Sequence, residues 1–369
     1  MVVILAANTS WYLYNFRAGL IRSLISRGYT VVTAAPRDSH TYLLEELGVI
    51  FCHVHMDNRG INPLKDALTV VQYIVIGRRH RPDCWLNFTI KPVIYGAIAG
   101  YLTGARVIST ITGLGTSFLH RKRLAFLVEL MYRLTQRLAT KIFFQNEEDR
   151  EFFQRKRLIE EEKADLVPGS GIDVEKFTLR KLPNEENFRF LMIARLLWDK
   201  GVAEYVEAAR VLGQIDCRLI FQIVGRIETE SEEAVPSSEL NRWVDEELIV
   251  YLGESDDIRR QISQADCVVL PSYREGLPRA LLEASAMGRP VIAADAPGSR
   301  SVVIDGQTGL LCEARSASSL IRCMKEMSQK DFDDRREMGC AGRKFVEEKF
   351  REEFVIDKYL RVLTSLSSP

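Results

Sequence analysis

Short apolar runs recur along the first 145 residues, separated by longer stretches of helical pattern. Residues 2–6, 30–35, 50–55, 84–88, 106–111 and 141–145 read as strands, and 16–27, 63–79 and 121–140 as helices between them. Strand–helix alternation of this kind predicts a parallel sheet with helices on both faces. Residues 178–187 are polar and aperiodic and read as a linker. A second alternation follows, with strands at 188–193, 217–224, 249–252, 267–270 and 291–294. The class is α/β: two doubly wound parallel-sheet domains, 1–180 and 187–350, facing across a cleft. Ligands in such sheets bind beyond the carboxyl ends of the strands. A closing helix over 352–366 carries Phe354, Val355, Tyr359, Leu360 and Leu363, so it must pack on something.

One stretch carries more chemistry than the rest: Pro271-Ser-Tyr-Arg-Glu275-Gly-Leu-Pro278-Arg-Ala-Leu-Leu-Glu283-Ala-Ser-Ala-Met-Gly288-Arg-Pro290. It follows the strand at 267–270. Pro278 suits the first position of a helix, where a missing N–H costs nothing, and Gly288 with Pro290 ends that helix. One carboxylate, Glu275, then stands at a strand's carboxyl end beside free helix N–H groups, and Glu283 lies a turn inside. Helix N-termini bind phosphate, and carboxylates accept hydrogen bonds from sugar hydroxyls. Together they describe a pocket for a sugar nucleotide. Two glutamates eight apart alone mean little in a chain with 50 acidic residues; the loop–Pro–helix–Gly–Pro frame gives the spacing its weight.

This stretch resembles the E-x7-E motif of retaining GT-B glycosyltransferases, specifically glycosyltransferase family 4. Arg195-Leu-Leu-Trp-Asp-Lys200-Gly201 looks like the family's Arg-x4-Lys diphosphate clamp, with Ala194 where relatives often carry Gly. Two fixed cations can neutralise the charge that grows on a departing nucleoside diphosphate. Gly171-Ile-Asp173-Val-Glu-Lys-Phe177 resembles the segment that closes the first domain in these enzymes. The resemblance covers almost the whole chain in the family's order. It implies a GT-B fold of two Rossmann-like domains, with 351–369 packing back on the first. It implies that Arg195 and Lys200 bind the diphosphate, that Glu275 faces the donor sugar and that Glu283 binds the ribose. Gly225 would lie near the base, and the backbone of Gly276 and Leu277 would point N–H groups at sugar or phosphate. The implied catalytic set is Glu275, Arg195 and Lys200. Ser301 stands where relatives usually carry Glu.

The first domain would hold the acceptor. Segments bearing Asn15 and Arg17, Lys91, and Thr112 with Gly113 each follow a strand and resemble a subgroup that builds bacterial surface polysaccharides and lipid-linked oligosaccharides. Family members often have His near the position of Thr112, so a histidine-assisted mechanism is not expected. The resemblance implies transfer of a hexose or N-acetylhexosamine from a nucleotide sugar, UDP-linked, to a saccharide on a polyprenyl diphosphate. It implies no metal and no cofactor. The rivals are a GT-B nucleotide-sugar epimerase and a non-catalytic membrane-surface scaffold. A nicotinamide dehydrogenase is disfavoured, since no G-x-G-x-x-G follows the first strand.

Net charge is zero, yet residues 1–142 hold 17 basic against 7 acidic side chains, a net +10, balanced by −10 in the remainder. The basic half suggests an anionic partner: phosphate-bearing substrate, lipid headgroups or nucleic acid. The resemblance selects the first two and sets nucleic acid aside. Arg121, Lys122 and Arg123 open a basic amphipathic helix that could lie on the inner leaflet. A core-packed helix with a charged rim is the alternative. Seven cysteines without a C-x-x-C pair read as reduced core thiols. No signal segment or membrane-length run occurs. The expected location is cytoplasmic, peripheral on the inner face of the membrane.

Overall fold

The computed structural model describes residues 1–57, 62–113, 122–228, 231 and 233–367. The chain forms two compact units, Met1–Ser170 with Glu352–Pro369, and Gly171–Arg351.

The first unit is built on strands β1 (Val2–Ala6), β2 (Thr30–Ala35), β3 (Ile50–His53), β4 (Cys84–Phe88), β5 (Arg106–Ile111), β6 (Lys141–Phe144) and β7 (Ala164–Leu166). Their order is β3-β2-β1-β4-β5-β6-β7, every neighbouring pair parallel. β4 is buried along its whole length, as a central strand covered on both faces must be. The helix Ser10–Ser26 begins where Thr9, in extended conformation, accepts the Tyr12 N–H on its side chain. Order reverses between β1 and β4, which opens a crevice at their carboxyl ends. The helix Glu352–Ser367 belongs to this unit. Val355, Tyr359, Leu360 and Leu363 enter its core, and the Tyr359 hydroxyl meets Thr110 Oγ1 at 2.6 Å.

The second unit holds β8 (Phe188–Ile193), β9 (Leu219–Val224), β10 (Val250–Tyr251), β11 (Cys267–Leu270), β12 (Val291–Ala294) and β13 (Gly309–Cys312), in the order β10-β9-β8-β11-β12-β13 and again parallel. The Asp305-Gly306 pair, which resembles a hairpin turn in the sequence, does not join antiparallel strands. β13 follows it and adds to β12 in parallel. A side chain at Gly309 would lie 2.2 Å from the Val291 carbonyl oxygen, so only glycine lets the two strands approach.

Residues 171–180 pack in the second unit, although hydrophobic patterning places them before the linker. Ile172, Val174 and Phe177 enter its core. The polar stretch that follows is held by two arginines. Arg343 Nη1 donates to the carbonyls of Phe177 at 2.6 Å and Ala286 at 2.7 Å. Arg289, fully buried, donates to the carbonyls of Arg180 and Lys181 at 3.0 and 2.8 Å and to those of Ile262 and Ser263 at 3.0 Å each. Burial lowers the Arg289 pKa to about 10. Guanidinium–carbonyl ties leave no trace in an apolar pattern. The cysteines are free, with Cys217 and Cys340 exposed and Cys84, Cys267, Cys312 and Cys323 buried.

Candidate functional site

Two loops at the carboxyl edge of the second sheet are knitted together. The loop after β8 runs Arg195 to Gly201 and closes with a single tight turn, Trp198–Lys200. Gly201 has φ +76°, and a side chain there would lie 2.3 Å from the Pro271 carbonyl oxygen. The loop after β11 answers with the Tyr273 N–H on the Asp199 carbonyl at 2.9 Å and Ser272 Oγ on the same oxygen at 3.3 Å. These contacts deliver Lys200 Nζ to Glu275 Oε1 at 2.7 Å, both side chains more than four-fifths buried (13 % and 18 % exposed). Partners 75 residues apart thus form one charge-assisted pair.

The Glu275 backbone is fixed from the other side. Its N–H donates to the Pro297 carbonyl at 3.0 Å. Gly298, φ +80°, comes so close that a side chain would lie 2.3 Å from the Glu275 oxygen and 2.8 Å from that of Gly276. Leu277 packs on the apolar core beneath. Pro278 stands at the cap of the helix Arg279–Ala286, one residue before the position its sequence suggests. Glu283, buried on that helix, pairs with Arg279 Nε at 2.7 Å. Burial pushes the Glu283 carboxyl up; Arg279, and behind it Lys176, pulls it back.

Arg195 is different. More than half exposed, it meets the buried Glu228 only at 3.6 Å. Gly225 has φ +154°, and a side chain there would lie 1.8 Å from the Ala194 carbonyl oxygen. Its N–H donates to the Gly253 carbonyl at 2.9 Å, and its own carbonyl accepts the Tyr251 hydroxyl at 2.8 Å. The sequence did not single out Arg279, Glu228, Tyr251 or Tyr273, which the structure sets against the candidate residues and their loops. Tyr273 donates to Glu204 Oε1 at 2.7 Å under the Arg315 guanidinium, 4.6 Å from its ring centroid. For Arg279 alone a signal exists, its i,i+4 spacing to Glu283.

In the first unit the candidate residues follow β1, β4 and β5, adjacent strands of one sheet. Asn15 bonds the Trp11 carbonyl through its amide at 3.1 Å. Arg17 is fully buried, its guanidinium 4.3 Å from the Phe88 ring centroid and 3.1 Å from the Tyr12 hydroxyl. Lys91 forms a 2.6 Å ion pair with Asp66. Between β4 and Lys91, Thr89 takes φ +66°, a costly conformation for a β-branched residue. Thr112 and Gly113 close the described part of the loop after β5, Gly113 at φ +122°. Arg121 lies outside the described residues. Lys122 and Arg123 open the helix Lys122–Thr135, and their side chains lie outside the description. Among the described residues no three His, Cys, Asp or Glu converge as a metal cage, and no helix is long and apolar enough to cross a membrane.

Comparison with known proteins places both units. Residues 173–345 match the family described as glycosyl transferases group 1, and residues 2–146 match the one described as glycosyl transferase 4-like. The chain belongs to the GT-B glycosyltransferases that combine these two domains. It is 26 % identical over 327 residues, 84 % of each chain, to the N,N'-diacetylbacillosaminyl-diphospho-undecaprenol alpha-1,3-N-acetylgalactosaminyltransferase of Campylobacter jejuni. It is 27 % identical over 284 residues, 72 % of this chain and 71 % of the relative, to the UDP-Gal:alpha-D-GlcNAc-diphosphoundecaprenol alpha-1,3-galactosyltransferase of Escherichia coli. The crystal structure of Anabaena HepE with UDP and glucose superposes with a TM-score of 0.82 over 98 % of this chain and 99 % of that one, at 18 % identity. The chain is an enzyme, a glycosyltransferase; the epimerase and scaffold readings are not favoured.

Proposed function

We propose that the protein transfers a hexose or N-acetylhexosamine, with retention, from a UDP-sugar to a saccharide carried on a polyprenyl diphosphate. The observation that supports this most is the buried Lys200–Glu275 pair at the carboxyl edge of the second sheet. A cation held there is placed to meet a donor diphosphate, and a carboxylate beside it to meet sugar hydroxyls. Arg195, more exposed, supplies the second cation on donor binding. Glu283 takes the ribose hydroxyls, Gly225 lines the base, and the backbone of Gly276 and Leu277 faces sugar or phosphate. Both relatives named above act on diphospho-undecaprenol saccharides, which supports a lipid-linked acceptor, met by Asn15, Lys91, Thr112 and Gly113.

In this reading the acceptor oxygen attacks the anomeric carbon on the face the diphosphate leaves. The carbon–oxygen bond to the diphosphate breaks, and the acceptor proton passes to a diphosphate oxygen. The clamp residues take the place of a metal, so activity persists in chelator. Nucleic acid has no part. The protein works at the inner face of the cytoplasmic membrane, where such acceptors are presented.

The test is thermal shift over a panel of nucleotides and nucleotide sugars, for wild type and for Lys200→Ala with Glu283→Ala. A ligand that binds the native state raises its melting temperature by mass action. UDP or a UDP-sugar is expected to stabilise wild type and to leave the double variant unmoved. A panel that shifts neither protein overturns the donor-site assignment.

A further inference from the structure

The helix Pro63–His80 turns Thr69, Tyr73, Ile76 and Gly77 inward. Its outer face is apolar as well. Leu64 is 84 % exposed, and Leu68, Val71 and Val75 are about half exposed, at spacings of four, three and four that set them in one stripe. A water-facing helix normally carries polar residues there. The helix Lys122–Thr135 repeats the pattern with exposed Phe126, Leu127, Leu130 and Leu134, and Tyr101 and Leu102 are exposed at the end of the helix Ile90–Leu102 between them. These three helices pack side by side and share one core on the same face of the first sheet. Among the described residues, ten of eighteen exposed large hydrophobic side chains lie on them, so the excess is local, and a local apolar surface marks an interaction site.

Charge says which partner covers it. Every exposed charged side chain described on the three helices is basic: Lys65, Arg78, Arg79 and Arg133. The two acids there are withdrawn, Asp66 into its pair with Lys91 and Glu129 into a 3.3 Å pair with Lys156. A second copy of this surface would set like charges against each other across a two-fold axis. Anionic lipid headgroups complement it, with the apolar side chains entering the headgroup–acyl boundary.

We infer that the face formed by Leu64, Leu68, Val71 and Val75, with the Phe126–Leu134 stripe beside it, docks on an anionic lipid bilayer. The inference rests on the proposed lipid-linked acceptor for its consequence. Asp66, in the first turn of the same helix, grips Lys91 at 2.6 Å. Docking by this stripe therefore holds Lys91, in the first turn of the helix Ile90–Leu102, at the headgroups, where a lipid-borne diphosphate can reach it with its tail still in the bilayer.

The test is sedimentation of the full chain with vesicles of phosphatidylglycerol and phosphatidylethanolamine, against vesicles of phosphatidylcholine. Binding is expected to the first, about tenfold or more weaker to the second, and to fall with salt. Leu68→Ser with Val71→Ser and Val75→Ser should weaken binding about tenfold or more. All three positions are exposed, so melting should stay near wild type. Ile215→Ser, at a comparably exposed apolar position of the second unit, should change nothing. Arg78→Ser with Arg79→Ser should weaken binding to the anionic vesicles alone. Wild-type binding by the triple variant overturns the inference. So does a wild-type dimer in light scattering that the triple variant splits, which would assign the face to a second copy. UDP thermal shift on the same samples separates the two proposals. Vesicle binding without a UDP shift leaves the surface standing and removes the UDP-donor assignment; a UDP shift without vesicle binding does the reverse.

Discussion

The two units share an architecture and differ at the same place. Each is a parallel sheet whose strand order reverses beside its first strand, and each gathers its candidate residues on the loops and helices that follow the strands' carboxyl ends. In the second unit those loops lock one another. Glycines 201, 225 and 298 allow backbone approaches that any side chain would block, and Lys200 and Glu275 meet in a buried pair. In the first unit the cations are engaged differently. Arg17 is sunk among aromatic rings, Lys91 is held by Asp66, and Thr89 carries backbone strain. On the roles proposed above, the contrast teaches that a site for a nucleoside diphosphate can be built rigidly, because its ligand's charged part does not vary. A site for a variable acceptor has no such fixed charge to be built around.

The largest expected effect sharpens that contrast. Lys200→Ala should lower kcat by about 10²–10³ with the fold intact, as loss of a transition-state charge stabiliser does. Lys91→Ala should instead raise the KM for acceptor, and an equal fall in kcat would break the comparison. Next comes Arg289→Met, which strips its carbonyl partners in the second unit. A loss of about 3 kcal/mol in denaturant unfolding is expected, and an unchanged midpoint would show the segment before β8 held by other contacts. Arg17→Met should cost about 1–2 kcal/mol through the lost contact with Phe88 and Tyr12. If acceptor KM moves while stability does not, Arg17 belongs to the acceptor site and not to the core.

The smallest effect is a pH dependence. Burial raises the Glu283 carboxyl, so the folded chain keeps that proton to a higher pH than the unfolded chain does. The associated stability is fully present below the ordinary carboxylate range and is lost as pH rises through the raised value. Glu283→Gln should therefore gain stability relative to wild type between acid and neutral pH, followed by melting temperature. A constant difference across that range would mean Arg279 fully offsets the burial.

Much of this was legible beforehand, for particular reasons. β4, β8, β11 and β12 are apolar runs bounded by turns, and burial on both faces demands that composition. Glu275, Glu283, Arg195 and Lys200 stood out as candidates because their spacing is tied to a turn and a helix start. β13 was not legible, being four residues led by a glycine whose purpose is a neighbouring carbonyl. The start of the second unit at Gly171 was not legible either, since Arg289 and Arg343 fix it through backbone oxygens.

The sequence by itself determined the two parallel sheets and singled out Arg195, Lys200, Glu275 and Glu283 as candidates, because hydrophobic period and local turn chemistry are properties of neighbours along the chain. Only the tertiary structure decided which charges meet. Lys200 finds Glu275 rather than solvent, Arg279 shares Glu283, Arg17 is buried, and the Leu64–Val75 face is left uncovered. Those outcomes depend on distances between residues far apart in sequence, and on which surfaces remain once the cores have closed.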